Sequence, residues 1–270
     1  ASQYARDVIS GRVVAGHWVR LACQRQLDDH ARWKAGGWKW KWNPEKATKI
    51  CKLAELLPHV KGRWKTKTIV LEPWQCFYIT TLFGWVDSEG LRRFRKALLV
   101  IARKNAKSTI AAIIALGLLV LDGEPGAEVY SAATTRDQAK ISWGIAHQMV
   151  VKSPEFQNEF GVQALAHSII VEGESAAFKP LSRDADSLEG LNVHGGIIDE
   201  LHAHPNREVF DVIDEGTGSR RQPLLVIIST EGDDDQGVFA EQVKYAQDVL
   251  AGDHEDDTYF GLYYALDPED

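Results

Sequence analysis

The chain has 270 residues, of which 44% are hydrophobic, 26% charged and 9% aromatic, and it carries a net charge of −7 at pH 7. This is an ordinary globular composition with enough apolar material for one large or two small cores. The three cysteines, Cys23, Cys51 and Cys76, have no close spacing and exclude a disulfide framework or a zinc ribbon, and the longest apolar run, residues 110–121, is too short to cross a bilayer.

The charge is unevenly spread. Residues 1–110 hold 22 Lys and Arg against 8 Asp and Glu, and the remainder holds 9 against 30. Such asymmetry suits a polyanion partner for the front half, or two halves that neutralise each other across an interface. Residues 1–12 are polar and lack the apolar segment of a signal peptide. The expectation is a protein of a reducing compartment, neither secreted nor membrane-bound.

In chain order, residues 1 to about 60 read as helical. Val13, Val14, Trp18, Leu21, Ala22 and Leu27 recur at helical spacing, and residues 45–57 repeat the pattern between Pro44 and Pro58. The tract Trp33-Lys34-Ala35-Gly36-Gly37-Trp38-Lys39-Trp40-Lys41-Trp42 reads as a loop. Its aromatics either pack onto the helical layer with the lysines in water, or stack on bases. From Thr66 onward strands alternate with helices. Strands are expected at 68–71, 97–102, 128–133, 194–199 and 224–229, with a hairpin of 167–172 and 176–181 around Gly173. Helices are expected at 73–83, 110–121, 137–150 and 207–215. Unbroken Val, Ile and Leu runs indicate strands buried on both faces, hence a mostly parallel sheet flanked by helices. The division expected is a basic helical part, 1–62, and an α/β part, 63–270.

The stretch Ala97-Leu98-Leu99-Val100-Ile101-Ala102-Arg103-Lys104-Asn105-Ala106-Lys107-Ser108-Thr109 runs from strand through a polar turn to a helix N-terminus. Unpaired N–H groups and the helix dipole make such a junction a phosphate cradle. Lys107 would neutralise outer phosphates and the Ser108 hydroxyl would ligate magnesium, as in a Walker A loop. Ile101 and Ala106, however, stand where that loop has glycines. A loop without them is expected to take a different path, with Arg103 and Lys104 adding side-chain charge. Further on, Gly195-Gly196-Ile197-Ile198-Asp199-Glu200 is a strand ending in two carboxylates. In phosphate-loop ATPases the first such acid holds magnesium and the second accepts a proton from the attacking water. Leu224-Leu225-Val226-Ile227-Ile228-Ser229-Thr230 is a third strand, ending in hydroxyls.

This ordered set resembles the large subunit of tailed-bacteriophage terminases. The likeness rests on Leu71-Glu72-Pro73-Trp74-Gln75, the glycine-poor loop at 102–108, the segment Glu128-Val129-Tyr130-Ser131-Ala132-Ala133-Thr134-Thr135-Arg136-Asp137-Gln138-Ala139, the Ile198-Asp199-Glu200-Leu201-His202 dyad and Ile228-Ser229-Thr230. The resemblance implies a RecA-like, P-loop ATPase fold preceded by a small helical subdomain. It implies ATP with Mg²⁺ as cofactor, and hydrolysis that drives double-stranded DNA into a procapsid. Trp74 and Gln75 would recognise adenine, Arg103, Asn105, Ala106, Lys107, Ser108 and Thr109 would form the nucleotide loop, and Ser108 and Asp199 would hold the metal. Glu200 would be the catalytic base, Ser229 and Thr230 the coupling element, and Arg183 the arginine finger, with Arg136 as second choice or Arg103 acting within its own subunit. The implied partners are a portal protein, a terminase small subunit and further copies in a ring, the isolated chain being a monomer in the cytoplasm of the infected host. The family's C-terminal nuclease activity is not expected from this chain. The rival readings are a helicase-like DNA-dependent ATPase, a non-catalytic DNA-binding adaptor, and a metal hydrolase built on Asp199, His202 and His204.

Overall fold

The structure is a computed structural model that describes residues 2–133, 136–181, 190–232, 236–265 and 267, with backbone only at 136–138 and 140. Helices α1 (Ser2–Ile9) and α2 (His17–Ala35) are followed by the short strand β1 (Lys41–Trp42) and helix α3 (Pro44–Leu56). Next come α4 (Pro73–Gly84), β2 (Trp85–Val86), β3 (Lys96–Val100), α5 (Lys107–Val120), β4 (Glu128–Ala132), α6 (Arg136–Val151) and α7 (Pro154–Phe160). The chain continues through β5 (Val162–Ala164), β6 (Ile169–Val171), β7 (Ala177–Pro180), β8 (Val193–Asp199), a 3₁₀ turn Leu201–Ala203, α8 (Glu208–Gly216), β9 (Leu224–Ser229), α9 (Val238–Ala251) and β10 (Tyr259–Tyr263).

The main sheet has eight strands in the order β10-β3-β9-β8-β4-β7-β6-β5. Every pairing from β10 to β7 is parallel, and β6 and β5 extend that edge antiparallel. Helix α5 is buried along nearly its whole length, Ile110 to Leu119, because it lies against the sheet while α3 and α6 pack outside it. That accounts for a sequence apolar on all sides. Glycines 195 and 196 bring both helical layers close to β8: a Cβ on Gly195 would stand 2.8 Å from Leu118 Cδ1 of α5, and one on Gly196 2.5 Å from Ile213 Cγ2 of α8. Helix starts follow local chemistry. The Asn43 side chain accepts from Lys46 N at 2.9 Å ahead of Pro44, and Glu72 with Gln75 forms a capping box around Pro73.

The tryptophan-lysine tract packs. Trp38 and Trp42 lie edge-on to the buried Trp85 at 5.5 and 5.3 Å between centroids, and Trp85 Nε1 donates to Gln26 Oε1 at 2.8 Å. Lys39 and Lys41 face water. Trp33 belongs to α2 and Lys41–Trp42 form β1, so the tract is a loop only from Gly36 to Trp40. Cations of the front half pair with acids of the back half: the fully buried Arg93 binds Asp257 at 3.1 Å as well as Asp29 at 2.6 Å, Lys96 binds Asp214 at 2.6 Å, and Arg92 grips Asp122 with both oxygens. Part of the charge asymmetry is therefore neutralised inside the fold. Asp256 accepts from Thr258 N at 2.6 Å and holds the turn before β10, whereas His254 and Glu255 are exposed.

Other expectations are corrected. Residues 68–71 form no strand: Thr68 makes one antiparallel bridge to Pro58, and Val70 is 65% exposed with no strand beside it. The strand expected at 97–102 is Lys96–Val100, and the helix at 207–215 begins at Glu208. Strands β2, β5 and β10 and helices α7 and α9 were not foreshadowed; β10 interrupts its apolar run with Gly261, and β2 and β5 are too short to show a period.

Candidate active site

Strands β3, β8 and β9 converge at one rim of the sheet. Topology puts β9 between β3 and β8, so its Ser229-Thr230 end falls between the loop that follows β3 and the acids that end β8. In parallel α/β sheets, the carboxyl ends of strands are where ligands bind.

The loop after β3 leads into α5 with Lys107 as its first residue. The loop does not avoid positive φ, as the missing glycines had suggested it would: Lys104 sits at φ +68° and Ala106, the N-cap residue, at +59°. Each such L-residue costs roughly 1–2 kcal/mol. Strain held at the mouth of a helix N-terminus is typical of a functional loop. Asn105 Nδ2 donates to Ala102 O at 3.1 Å and tightens the turn, Arg103 is exposed, and Ser108 and Thr109 continue the first helical turn half-buried. Ile101 is a core residue, and its N–H donates to Ser229 O at 3.1 Å, extending the β3–β9 ladder by one bond.

Lys107 Nζ lies 2.5 Å from Glu200 Oε1, the lysine side chain 10% and the glutamate 35% exposed. The other carboxylate oxygen, Glu200 Oε2, accepts from Thr230 N at 3.1 Å and Thr230 Oγ1 at 3.2 Å, and His202 Nδ1 stands 3.3 Å away. Glu200 itself is left-handed at φ +52°, which turns its side chain off the end of the strand. Burial raises its carboxyl pKa, but Lys107, the Thr230 N–H and His202 outweigh burial and hold it below the usual value. The neighbouring Asp199 behaves oppositely. It is half-buried, accepts from Ser142 Oγ at 2.7 Å and has no cation within 4.0 Å among the described residues. Burial, with the charge of Glu200 added, raises its pKa despite Ser142, Lys107 and the Glu200 N–H. Adjacent carboxylates pushed in opposite directions are suited to different chemical roles.

Trp74 and Gln75 open α4 at a cleft that also receives Lys104, Asn105, Ala106 and Thr109. Trp74 packs edge-on against Tyr264 at 5.7 Å, and Gln75 Oε1 accepts from Glu72 N at 2.9 Å, so the glutamine caps its own helix as well as facing the loop. Arg183 lies outside the described residues, as does the side chain of Arg136. The zinc alternative lacks a donor set: His202 Nδ1 lies 2.6 Å from Ser229 Oγ, His204 Nε2 is 3.3 Å from the Asp199 carbonyl, and no group of three metal-ligating side chains occurs among the described residues.

One side chain beside the acids carries no sequence signal, and a second takes a place other than the zinc ligation weighed for it. Ser142, on the second turn of α6, reaches Asp199 across 57 positions, and no local signal marks it. His202 bridges Glu200 to Ser229, a role hinted at only by its place two residues after the acid.

Comparison with known proteins places the chain in a family. Residues 73–248 match the family model described as the ATPase domain of the terminase large subunit. The terminase large subunit of Enterobacteria phage HK97 is 31% identical over 183 residues, covering 67% of this chain and 35% of the relative. Protein YmfN of Escherichia coli K12 is 30% identical over 82 residues, 30% of this chain and 18% of that protein. The chain thus spans about a third or less of these relatives' lengths. The crystal structure of the HK97 bacteriophage large terminase superposes with a TM-score of 0.67 over 81% of this chain and 44% of the other at 24% identity, a likeness of fold. Since the matched span contains the loop before α5, both carboxylates and the end of β9, the chain belongs to the family of terminase large subunit ATPase domains.

Proposed function

We propose that this chain hydrolyses ATP with Mg²⁺ and that the hydrolysis drives double-stranded DNA into a procapsid. The observation that carries this reading is the meeting of Lys107, Glu200 and Thr230 within hydrogen-bonding distance beside the N-terminus of α5. A triphosphate lying on the first turn of α5 would meet the free N–H groups of that turn and the Lys107 ammonium. Glu200 would take the proton from a water attacking the γ-phosphorus in line, and Thr230, already bonded to Glu200, would carry the change at the carboxylate into β9 and α9.

The donors available suit a hard cation. Ser108 offers a hydroxyl and Asp199 a half-buried carboxylate with no cation within 4.0 Å among the described residues, which fits magnesium with a few protein ligands and several waters. When bound with nucleotide, the ion would neutralise charge developing on the phosphate oxygens. Ser142 would keep Asp199 oriented toward it. Trp74 and Gln75 would meet the base. Arg183 would supply positive charge to the transition state from a neighbouring subunit, and the portal protein, the small subunit and further copies of the chain are the partners proposed for packaging in the host cytoplasm.

The test is magnesium-dependent phosphate release by the purified chain, with Lys107→Ala and Glu200→Gln. Turnover is expected to fall by at least a hundredfold in each, because each change removes a group that acts on the transferred phosphoryl or the water. Near-wild-type turnover in both would refute the site.

A further inference from the structure

The residues before α4 form a closed loop. Its ends are joined by the Pro58–Thr68 bridge, by Ile69 N donating to Leu57 O at 2.9 Å and by His59 N donating to Lys67 O at 3.3 Å. Inside it, the Trp64 indole stacks face to face on His59, with centroids 4.4 Å apart and planes 10° from parallel. Trp64 Nε1 donates to Lys61 O at 2.6 Å, and His59 Nε2 lies 3.3 Å from Thr66 Oγ1. Gly62, at φ +83°, lets the chain turn under the indole. A large apolar ring is therefore fixed in place and yet 60% exposed.

The loop faces the nucleotide loop. His59 and Trp64 share one cleft with Trp74, Gln75, Asn105 and Ala106. One face of the indole is taken by His59, whose pKa burial lowers, so that it is an uncharged ring at neutral pH. The other face is open. Lys61, Arg63, Lys65 and Lys67 alternate along the same loop, all exposed, and none has an ion-pair partner within 4.0 Å among the described residues. Aromatic surface beside free cations, bordering a helix N-terminus suited to phosphates, matches a nucleoside triphosphate, with its base on the ring and its phosphates at the loop.

We propose that the 59–67 loop is the outer wall of the nucleotide site, with Trp64 stacking on the base across the cleft from Trp74 and Gln75 and setting a preference for purines. This deepens the ATPase reading of the site and rests on it. A two-ring base covers more of an indole face than a one-ring base, so the preference follows from contact area. The adjoining cations raise the local concentration of the anionic ligand without selecting the base.

The test is calorimetric titration of the chain with magnesium and the β,γ-imido analogues of ATP and CTP, and separately with inorganic tripolyphosphate. Trp64→Ala is expected to weaken binding of the ATP analogue about tenfold to a hundredfold. It should weaken the CTP analogue less and leave tripolyphosphate unchanged, and Trp64→Phe should stay within about threefold of wild type on the same stacking argument. Trp64→Ala that binds the ATP analogue as wild type does would overturn the proposal alone, as would loss of affinity for a DNA duplex with nucleotide affinity intact. Failure of wild type to bind either analogue, or binding that survives Lys107→Ala unchanged, would instead overturn the underlying ATPase reading.

Discussion

The Lys107–Glu200 ion pair sets up a competition that can be measured. On the proposed reading an incoming triphosphate would need the Lys107 ammonium, which lies 2.5 Å from Glu200 Oε1. Breaking a fully buried pair by removing one partner costs about 3–5 kcal/mol, and exposed pairs contribute about 0–1 kcal/mol. With the lysine side chain 10% and the glutamate 35% exposed, this pair falls between, at about 1–2 kcal/mol. That free energy is withheld from nucleotide affinity, a factor of about 5–30. Glu200→Gln keeps an acceptor for Thr230 but releases the lysine, so it should bind the β,γ-imido ATP analogue about 5–30 times more tightly at pH 7 while turnover is lost. The sign with pH follows from the lowered pKa of Glu200: the pair is intact above the ordinary carboxylate range and is lost as pH falls through the lowered value. The affinity difference between wild type and variant should accordingly close only in acid, once pH has fallen through that lowered value. Titration calorimetry at several pH values measures it. Equal or weaker binding by Glu200→Gln at pH 7 would refute the reasoning.

Two further outcomes follow from the same rim. Asp199 has a raised pKa, so the folded protein holds that proton more tightly than the unfolded chain. The associated stability is present at low pH and is lost as pH rises from the ordinary carboxyl value of 3.8 through the raised folded one. Asp199→Asn should therefore raise the urea midpoint at neutral pH, with the gain vanishing in acid, while magnesium-dependent turnover disappears; a lower midpoint at pH 7 would contradict the burial argument. Ala106→Gly relieves an L-residue at φ +59°, worth roughly 1–2 kcal/mol, against about 0.4–1 kcal/mol for the extra freedom of glycine in the unfolded chain. The net gain of about 0.5–1 kcal/mol should appear as a higher denaturation midpoint, and a drop would mean that the alanine is unstrained.

The chain's own order of residues determined a good deal. Apolar runs such as Leu224–Ser229, with every residue buried, could only be strands covered on both faces. The all-apolar helix after Thr109 had to lie beneath other layers, and a turn ending in Lys107 at its start had to point a charge and free N–H groups outward together. Those signals are local, a few residues long, and survive without knowing what lies beside them. Tertiary structure alone decided which ends meet. Placing β9 between β3 and β8 brings Thr230 to Glu200 and Glu200 to Lys107, although 93 residues separate the last two. Strand order of this kind is a matter of long-range pairing that no period in the sequence records, and Gly195 and Gly196 show their purpose only once Leu118 and Ile213 are packed on them. The same holds for Ser142, whose hydroxyl is ordinary on its helix and matters because α6 lies over Asp199. Backbone strain was hidden as well: alanine at position 106 looked like a reason for a different loop, and the packed helix behind it holds the alanine where glycine would sit at ease.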